Sequence, residues 1–456
     1  MVERSTSFQA LTQTLYLTHN WQKQTTMSDL ENQSLRPVLP FRYRVQHALG
    51  SVIGRRFDHL LDGIEHGQLS LTWPDGHATQ HGNRSEDPSM NAHIILHNFR
   101  PVQQIMSRGQ LGFAEGYLRG DWTTDSLRNL FSVVMRNEAQ VDAMTAGSWI
   151  ARLINTLKHG RNRNSLEGSQ RNIEFHYDLG NEFYKLWLDD TMSYSSAIFS
   201  ESESESLEAA QNAKLDRVVK ALNPNPGARV LEIGCGWGAM ASKLARSCGC
   251  HVQGISLSHE QLRFAREHNS VGSGSDSSAT MVASANAPSG STQFQHKDYR
   301  AVEGKYDHIV SIEMFEAVGE QYWKTYFFKL GELLEQGGSA VLQVITIEED
   351  RFEEYRSSPD FIQRYIFPGG MLPTKTLLTE LSDKAGFDII ESEWFGKSYA
   401  TTLEHWRERF DQVTREVNAL GFDERFMRMW RYYLSYCETG FQYERTDVGQ
   451  LLLKKR

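Results

Sequence analysis

The stretch VLEIGCGWGAMASKLARSCGCHVQGISLS, residues 230–258, constrains the fold more than any other part of the chain. An apolar strand-like run, residues 229–233, meets glycines 234, 236 and 238. An amphipathic segment from Ala239 follows, and then a second strand-like run, residues 251–257. Strand, glycine-rich turn, helix and strand make a βαβ unit, which belongs in a parallel sheet covered by helices. Glycines at the carboxyl end of a strand let a ligand approach the backbone at the crevice of such a sheet.

The same alternation continues to either side. Leu215, Val218, Val219 and Leu222 recur at helical spacing before the first strand, and a helix is expected from Ser258 after the second. Beyond a Ser-, Gly- and Ala-rich stretch come the strand-like DHIVSI and AVLQVITI, a helix from Thr374 to Gly386, and FDIIESEW. This order predicts an α/β class with a Rossmann-like, mostly parallel sheet. The earlier part differs: GQLSLTWPDGHATQHG holds two short strands around the turn Pro74-Asp75-Gly76, and AHIILHN reads as another. The expected organisation is a polar tail (1–35), a small α+β domain (36–140), a linker helix (141–171) and the nucleotide-binding domain (172–456), with 269–293 as a surface insertion without chemistry of its own.

A formal net charge of −9 over 456 residues gives no electrostatic footprint for nucleic acid. No run of about 18 apolar residues occurs, so no membrane span is expected. The polar N-terminus lacks the apolar core of a secretory signal, which predicts a cytoplasmic protein. Four cysteines are too few for a disulfide framework, and Cys248 and Cys250 lack a second pair to complete a zinc site. Reduced thiols and no metal are expected. Within the linker, Trp149, Ile150, Leu153, Ile154 and Leu157 share a helical face beside Arg152, Lys158, Arg161, Arg163 and Arg171. Such a helix suits the anionic inner face of a membrane, to which the protein would bind peripherally; it equally suits packing on a domain with its charges solvated.

Two ligands compete for the glycine turn. A dinucleotide site prefers G-x-G-x-x-G facing a pyrophosphate, whereas this turn reads G-x-G-x-G and follows Glu232. A carboxylate there meets a cation, which favours the ammonium of S-adenosylmethionine. The second strand ends in GISLS without the acidic residue that a ribose would want. Ser256 and Ser258 are alternative ribose partners, although Ser258 and Gln261 also form a Ser-x-x-Gln capping box.

FHYDLGNEFYKLWLDDTMSYSSAIF, VLEIGCGWG, GISLSHEQ, SIEMFEAVGEQYWKTYF, YIFPGGMLPT and TDVGQLLLKK, in this order and together with GFAEGYLRGDW, resemble the cyclopropane fatty acid synthases and the related mycolic acid cyclopropane synthases. The resemblance runs from about Arg36 to the C-terminus. It implies a class I methyltransferase fold, S-adenosylmethionine as donor, the unsaturated acyl chain of a membrane phospholipid as substrate, and a homodimer. Matched motif by motif, cofactor contacts fall on Tyr194, Ser195, Glu232, Gly234, Cys235, Gly236, Trp237, Gly238, Ser256, Leu257, Ser258, Gln261, Asp298 and Tyr299. For Asp298 and Tyr299 a local backbone cap is the alternative.

A cis double bond is a weak nucleophile, so its methyl donor must be a sulfonium. Transfer leaves a carbocation, and ring closure needs a base in a dry pocket. The resemblance implies bound bicarbonate as that base, with catalytic positions at Glu316, Tyr399, Ile345, Gln343 and Ser196. Two of these depart from the family pattern. Gln343 stands where the ring-forming enzymes have His, and Tyr194-Ser195-Ser196 replaces Tyr-Ser-Cys. An amide can hydrogen-bond an anion but cannot relay a proton as imidazole does. Ala317 also replaces a frequent His. These departures resemble relatives that methylate the chain without closing a ring. Phe315, Phe367, Trp394 and Tyr433 are further candidates to steady the cation. Two rival classes, a nicotinamide-dependent dehydrogenase and a non-catalytic lipid-binding protein, fit the turn and Glu232 less well.

Overall fold

The computed structural model describes Gly54, Phe57–His59 and residues 61–138, 179–200, 205–272 and 290–456. The expected polar tail, the basic linker helix with Trp149 to Arg171, and most of the serine-rich insertion lie outside the described residues.

Two sheets organise the described chain. The smaller has the order β2-β1-β3-β4, with β1 Gln68–Thr72, β2 Ala78–Gly82, β3 Asn91–Leu96 and β4 Trp122–Thr124. β1 and β2 form the hairpin that Pro74-Asp75-Gly76 predicts: Gly76 takes φ 89° and donates to Trp73 O at 2.9 Å. β3 then pairs with β1 in parallel. Alternation in QLSLT and NAHIIL buries Leu69, Leu71, Ala92, Ile94 and Leu96. Against them pack helix α1, Arg100–Leu118, which breaks at Gly109 (φ 59°, ψ −148°), and α2, Leu127–Arg136, whose N-cap Ser126 accepts from Asn129 N.

The larger sheet has the order β10-β11-β9-β8-β5-β6-β7. Its parallel core is β5 Arg229–Ile233, β6 His251–Ser256, β7 Ser291–His296, β8 Tyr306–Ile312 and β9 Leu334–Ile347. Helices α3 Leu207–Leu222, α4 Ala239–Cys248, α5 His259–His268, α6 Trp323–Leu333 and α7 Lys375–Lys384 lie between the strands in sequence. β10, Phe387–Trp394, is the edge strand, and β11, Thr446–Lys455, slots between it and β9 antiparallel to both. This is the strand order of a class I methyltransferase. β11 falls on the TDVGQLLLKK segment, whose apolar run is buried in mid-sheet.

Helices α8, Gly396–Gln412, and α9, Glu424–Gln442, tie the two sheets together. α9 buries Trp430, Tyr432 and Tyr433 in the hydrophobic cluster that also holds Leu71, Ile94 and Phe131. Across the same junction Glu438 of α9, 3% exposed in its side chain, accepts from Arg128 Nε of α2 at 2.8 Å and Arg407 Nε of α8 at 2.6 Å. Both sheets belong to one compact unit. Among the described residues no helix is long and apolar enough to cross a membrane, and no cluster of side chains could hold a metal.

Candidate active site

Two cavities open beside the carboxyl ends of the large sheet's strands, and they meet. The first lies over the glycine turn. Gly234 takes φ 82°, and a Cβ there would stand 2.8 Å from Met314 Cγ, so only glycine admits both the turn and the neighbouring loop. The cavity is lined by Glu232, Gly234, Cys235, Gly236 and Trp237, by Ser256, Leu257 and Gln261 from the β6–α5 junction, by Asp298 and Tyr299, and by Tyr194 and Ser195. Every residue expected to contact the cofactor is therefore here except two. Ser258 is fully buried as the N-cap of α5, accepting from Gln261 N at 3.3 Å; only this half of the expected capping box forms, because Gln261 Oε1 accepts from Ser256 Oγ and Ser258 N donates to Ser256 Oγ. Gly238 turns away: its φ is 91° and a Cβ would collide with Phe294 and Ala265, so it serves close packing of helix on strand. Asp298 lines the cavity while its carboxylate binds Arg300 through the backbone and guanidinium.

The residues fit a cationic, amino-acid-bearing nucleotide. Glu232 Oε2 is buried and has no hydrogen-bond partner among the described residues. Burial raises its pKa to about 8, against the opposing pull of the Ala241 backbone and Lys214. A buried carboxyl awaiting a cation is what an ammonium or sulfonium ligand would satisfy.

The second cavity, about 490 Å³, is mostly apolar and is shared between the small sheet and the large one. Tyr399, Ile345 and Glu316 line it, as do Phe367, Tyr433 and Cys437; Phe315 and Trp394 do not. Tyr194, Glu313 and Ala317 line both cavities and so mark their junction.

Glu313 is the residue that sequence reasoning missed. It follows β8 directly, with φ 49°, a left-handed backbone that a glutamate adopts at a cost. Its amide donates to Gln343 O at 2.8 Å. Its half-buried carboxylate then collects three donors: Ser196 N (2.8 Å) and Gln343 Nε2 (2.7 Å) on Oε1, and Tyr399 Oη (2.7 Å) on Oε2. Gln343 and Ser196 line neither cavity; they act on the site only through Glu313. The donors expected to hold bicarbonate are thus spent on a carboxylate of the chain itself. The available signal was its place, a charged residue at the carboxyl end of a central strand, where ligands of open sheets bind.

Glu316 sits one turn on. Its Oε1 accepts from Ile345 N at 2.5 Å, and its buried Oε2 has no partner among the described residues. Burial, then the charge of Glu313, raise its pKa to about 8. Burial raises Glu313 as well, opposed by Tyr399, Gln343, Ser196 and Lys214. Among the described residues three donors and no acceptor bond the Glu313 carboxylate, so of the pair it is the ionised member and Glu316 the neutral one. A carboxylate held charged yet raised in pKa is a stronger base than an ordinary one. Lys214, also missed, is wholly buried in the first cavity, where its ammonium donates to Ser195 Oγ at 2.8 Å.

A family model described as mycolic acid cyclopropane synthetase matches residues 164–451. The chain belongs to that family. It is 35% identical over 403 residues to the tuberculostearic acid methyltransferase of Mycobacterium tuberculosis, spanning 85% of this chain and 88% of the relative. It is 32% identical over 376 residues to the cyclopropane-fatty-acyl-phospholipid synthase of Escherichia coli K12, covering 80% and 89%. The cyclopropane synthase MmaA2 from Mycobacterium tuberculosis superimposes with a TM-score of 0.56 at 29% identity, over 63% of this chain and 98% of that one. The mycolic acid cyclopropane synthase CmaA1 complexed with SAH and CTAB does so with a TM-score of 0.55 at 29% identity, over the same shares. This member of the family is accordingly an S-adenosylmethionine-dependent methyltransferase of the cyclopropane synthase type. Membership decides the cofactor class, S-adenosylmethionine, against the nicotinamide alternative.

Proposed function

We propose that the protein methylates the cis double bond of an unsaturated acyl chain in membrane phospholipid and closes a cyclopropane ring, with Glu313 as the base. One observation carries this reading: a half-buried carboxylate, fixed by Ser196, Gln343 and Tyr399, stands where the cavity over the glycine turn meets the apolar cavity.

S-adenosylmethionine, when bound, supplies an electrophilic methyl on a sulfonium. The residues of the chain do the rest. Glu232 receives the cationic side of the donor, and Ser195 is held in place by Lys214 and by Gln211, which donates to Ser195 O at 2.9 Å. The apolar cavity seats the alkene and excludes water that would capture a cation. The π electrons form the new carbon–carbon bond as the methyl–sulfur bond breaks toward sulfur, leaving a carbocation on the chain. Glu313 Oε2 or Oε1 then accepts a proton. Because Glu313 lines the junction through which the methyl arrives, the nearest proton is one of that methyl, and its loss closes the ring. Phe367 and Tyr433 line the cavity and bring aromatic rings to its wall, which suits a cation.

A second reading, methylation without ring closure, is favoured by Gln343 and Ala317 and by the similarity to a tuberculostearic acid methyltransferase. Cyclopropane and exocyclic methylene add the same mass of one CH₂. The test is incubation with S-adenosylmethionine and vesicles carrying a cis-monounsaturated chain, followed by mass spectrometry and proton NMR of the released fatty acids. Upfield ring protons support closure, vinylic protons support the second reading, and no added mass overturns both. Peripheral binding at the inner membrane face, through the basic segment 141–171, and a homodimer complete the proposal.

A further inference from the structure

The apolar cavity is not confined to the methyltransferase sheet. Leu71 and Ile94, directly paired across β1 and β3, line it, as do Phe113 of α1 and Leu130, Phe131 and Val134 of α2. The side chains that β1, β3 and residues 130–134 of α2 bring to it are hydrocarbon. Among the charged residues of the cavity wall, Arg351 and Arg445 both pair with Glu138 just past the end of α2, Arg445 also meets Glu348 at 3.1 Å, and Arg108 of α1 pairs with Glu115; all of these are partly exposed.

Accepting the acyl-chain reading above, we infer that the methyl end of the chain is seated between the small sheet and α2, so that the enzyme selects a double bond by its distance from the methyl end rather than from the ester. The chemistry is one of exclusion. An ester, phosphate or glycerol hydroxyl buried among Leu71, Ile94 and Leu130 would lose its water and find no donor or acceptor on those side chains. The methyl terminus is the one end of a lipid that carries no polar atom, and the ester and headgroup go to the charged rim. With the terminus held at a fixed wall, the bond presented to Glu313 is set by the number of methylenes between them. Each methylene by which a chain misfits a hydrophobic pocket is worth roughly tenfold or more in discrimination.

The experiment uses the full chain, S-adenosylmethionine and phosphatidylglycerol vesicles whose unsaturated chain is palmitoleoyl, cis-vaccenoyl or oleoyl. The first two share the distance from double bond to methyl end; palmitoleoyl and oleoyl share the distance from ester to double bond. The inference expects similar kcat/KM for palmitoleoyl and cis-vaccenoyl, with oleoyl differing by roughly tenfold or more. Pairing of palmitoleoyl with oleoyl, or equal rates for all three, would overturn it while leaving the methyl-transfer reading intact. Transfer to none of the three would overturn both. Leu71→Trp shortens the pocket and Leu71→Ala lengthens it. The preference is expected to move toward shorter and longer methyl-side segments respectively, with S-adenosylmethionine affinity unchanged. An unaltered preference in a folded Leu71→Ala protein would also overturn the inference.

Discussion

Gln343 donates its side-chain amide to Glu313 Oε1 at 2.7 Å, and its own carbonyl oxygen accepts from Gln450 Nε2 at 2.9 Å. The second bond fixes the orientation of the first, because the amide can present N–H to Glu313 only while its oxygen faces β11. Gln343→Leu removes this donor without removing the base. The carboxylate keeps Ser196 and Tyr399, so activity should fall by about tenfold, with the pH–rate profile displaced to higher pH as Glu313 becomes easier to protonate. A profile identical to wild type would show that Gln343 does not tune the base.

Occupation of the anion position by Glu313 predicts indifference to bicarbonate. Removing dissolved carbon dioxide should leave wild-type turnover unchanged. Glu313→Gly relieves a left-handed backbone and opens a space lined by three donors, so turnover should be lost and then partly restored by bicarbonate. Wild-type dependence on bicarbonate, measured in degassed buffer, would contradict the assignment.

Glu232 predicts proton release on cofactor binding. In the free protein its pKa is raised to about 8, so at neutral pH it is mostly protonated. A cationic ligand favours the ionised form, so binding expels the proton and affinity should tighten as pH rises toward 8. Lys214, lowered to about 8 chiefly by burial, shares the cavity, and loss of its charge acts in the same direction. Calorimetry in buffers of different ionisation heat counts the protons. Glu232→Gln should cut the release to the part Lys214 supplies; an unchanged count in that variant would assign all of it to Lys214.

The link between small sheet and large one also has a measurable cost. Glu438→Gln leaves Arg128 and Arg407 facing a neutral amide at a mostly buried site, which should destabilise the protein by about 3 kcal/mol. A urea midpoint within error of wild type would show that the apolar cluster around Tyr432 alone holds the junction.

Much of the architecture could be read from the chain, because periodicity and glycine placement act locally. The unit from Arg229 to Ser256, the hairpin at Gly76 and the N-caps Ser258 and Thr374 all express short-range rules. The donor cavity was legible for the same reason, since the glycine turn and its flanks carry it. Ser258 and Gly238 departed because residues next to a ligand turn also build the helix that follows it. The proposed base was not legible. Glu313 and Glu316 lie in one short motif, and which one faces the junction depends on a left-handed φ at Glu313 and on β9 placing Gln343 beside it. Both are consequences of the assembled sheet. The double lining of the apolar cavity likewise arises only when α9 docks the two sheets.

The most direct test of the account is the single-turnover rate of cyclopropane formation in wild type, Glu313→Gln and Glu316→Gln, measured beside their S-adenosylmethionine affinities. Glu316 is read as neutral, so its amide variant should stay within about tenfold of wild type, while Glu313→Gln should lose roughly a hundredfold to ten-thousandfold, both with near-normal cofactor binding. The opposite order, with Glu316→Gln inactive and Glu313→Gln competent, would contradict the account.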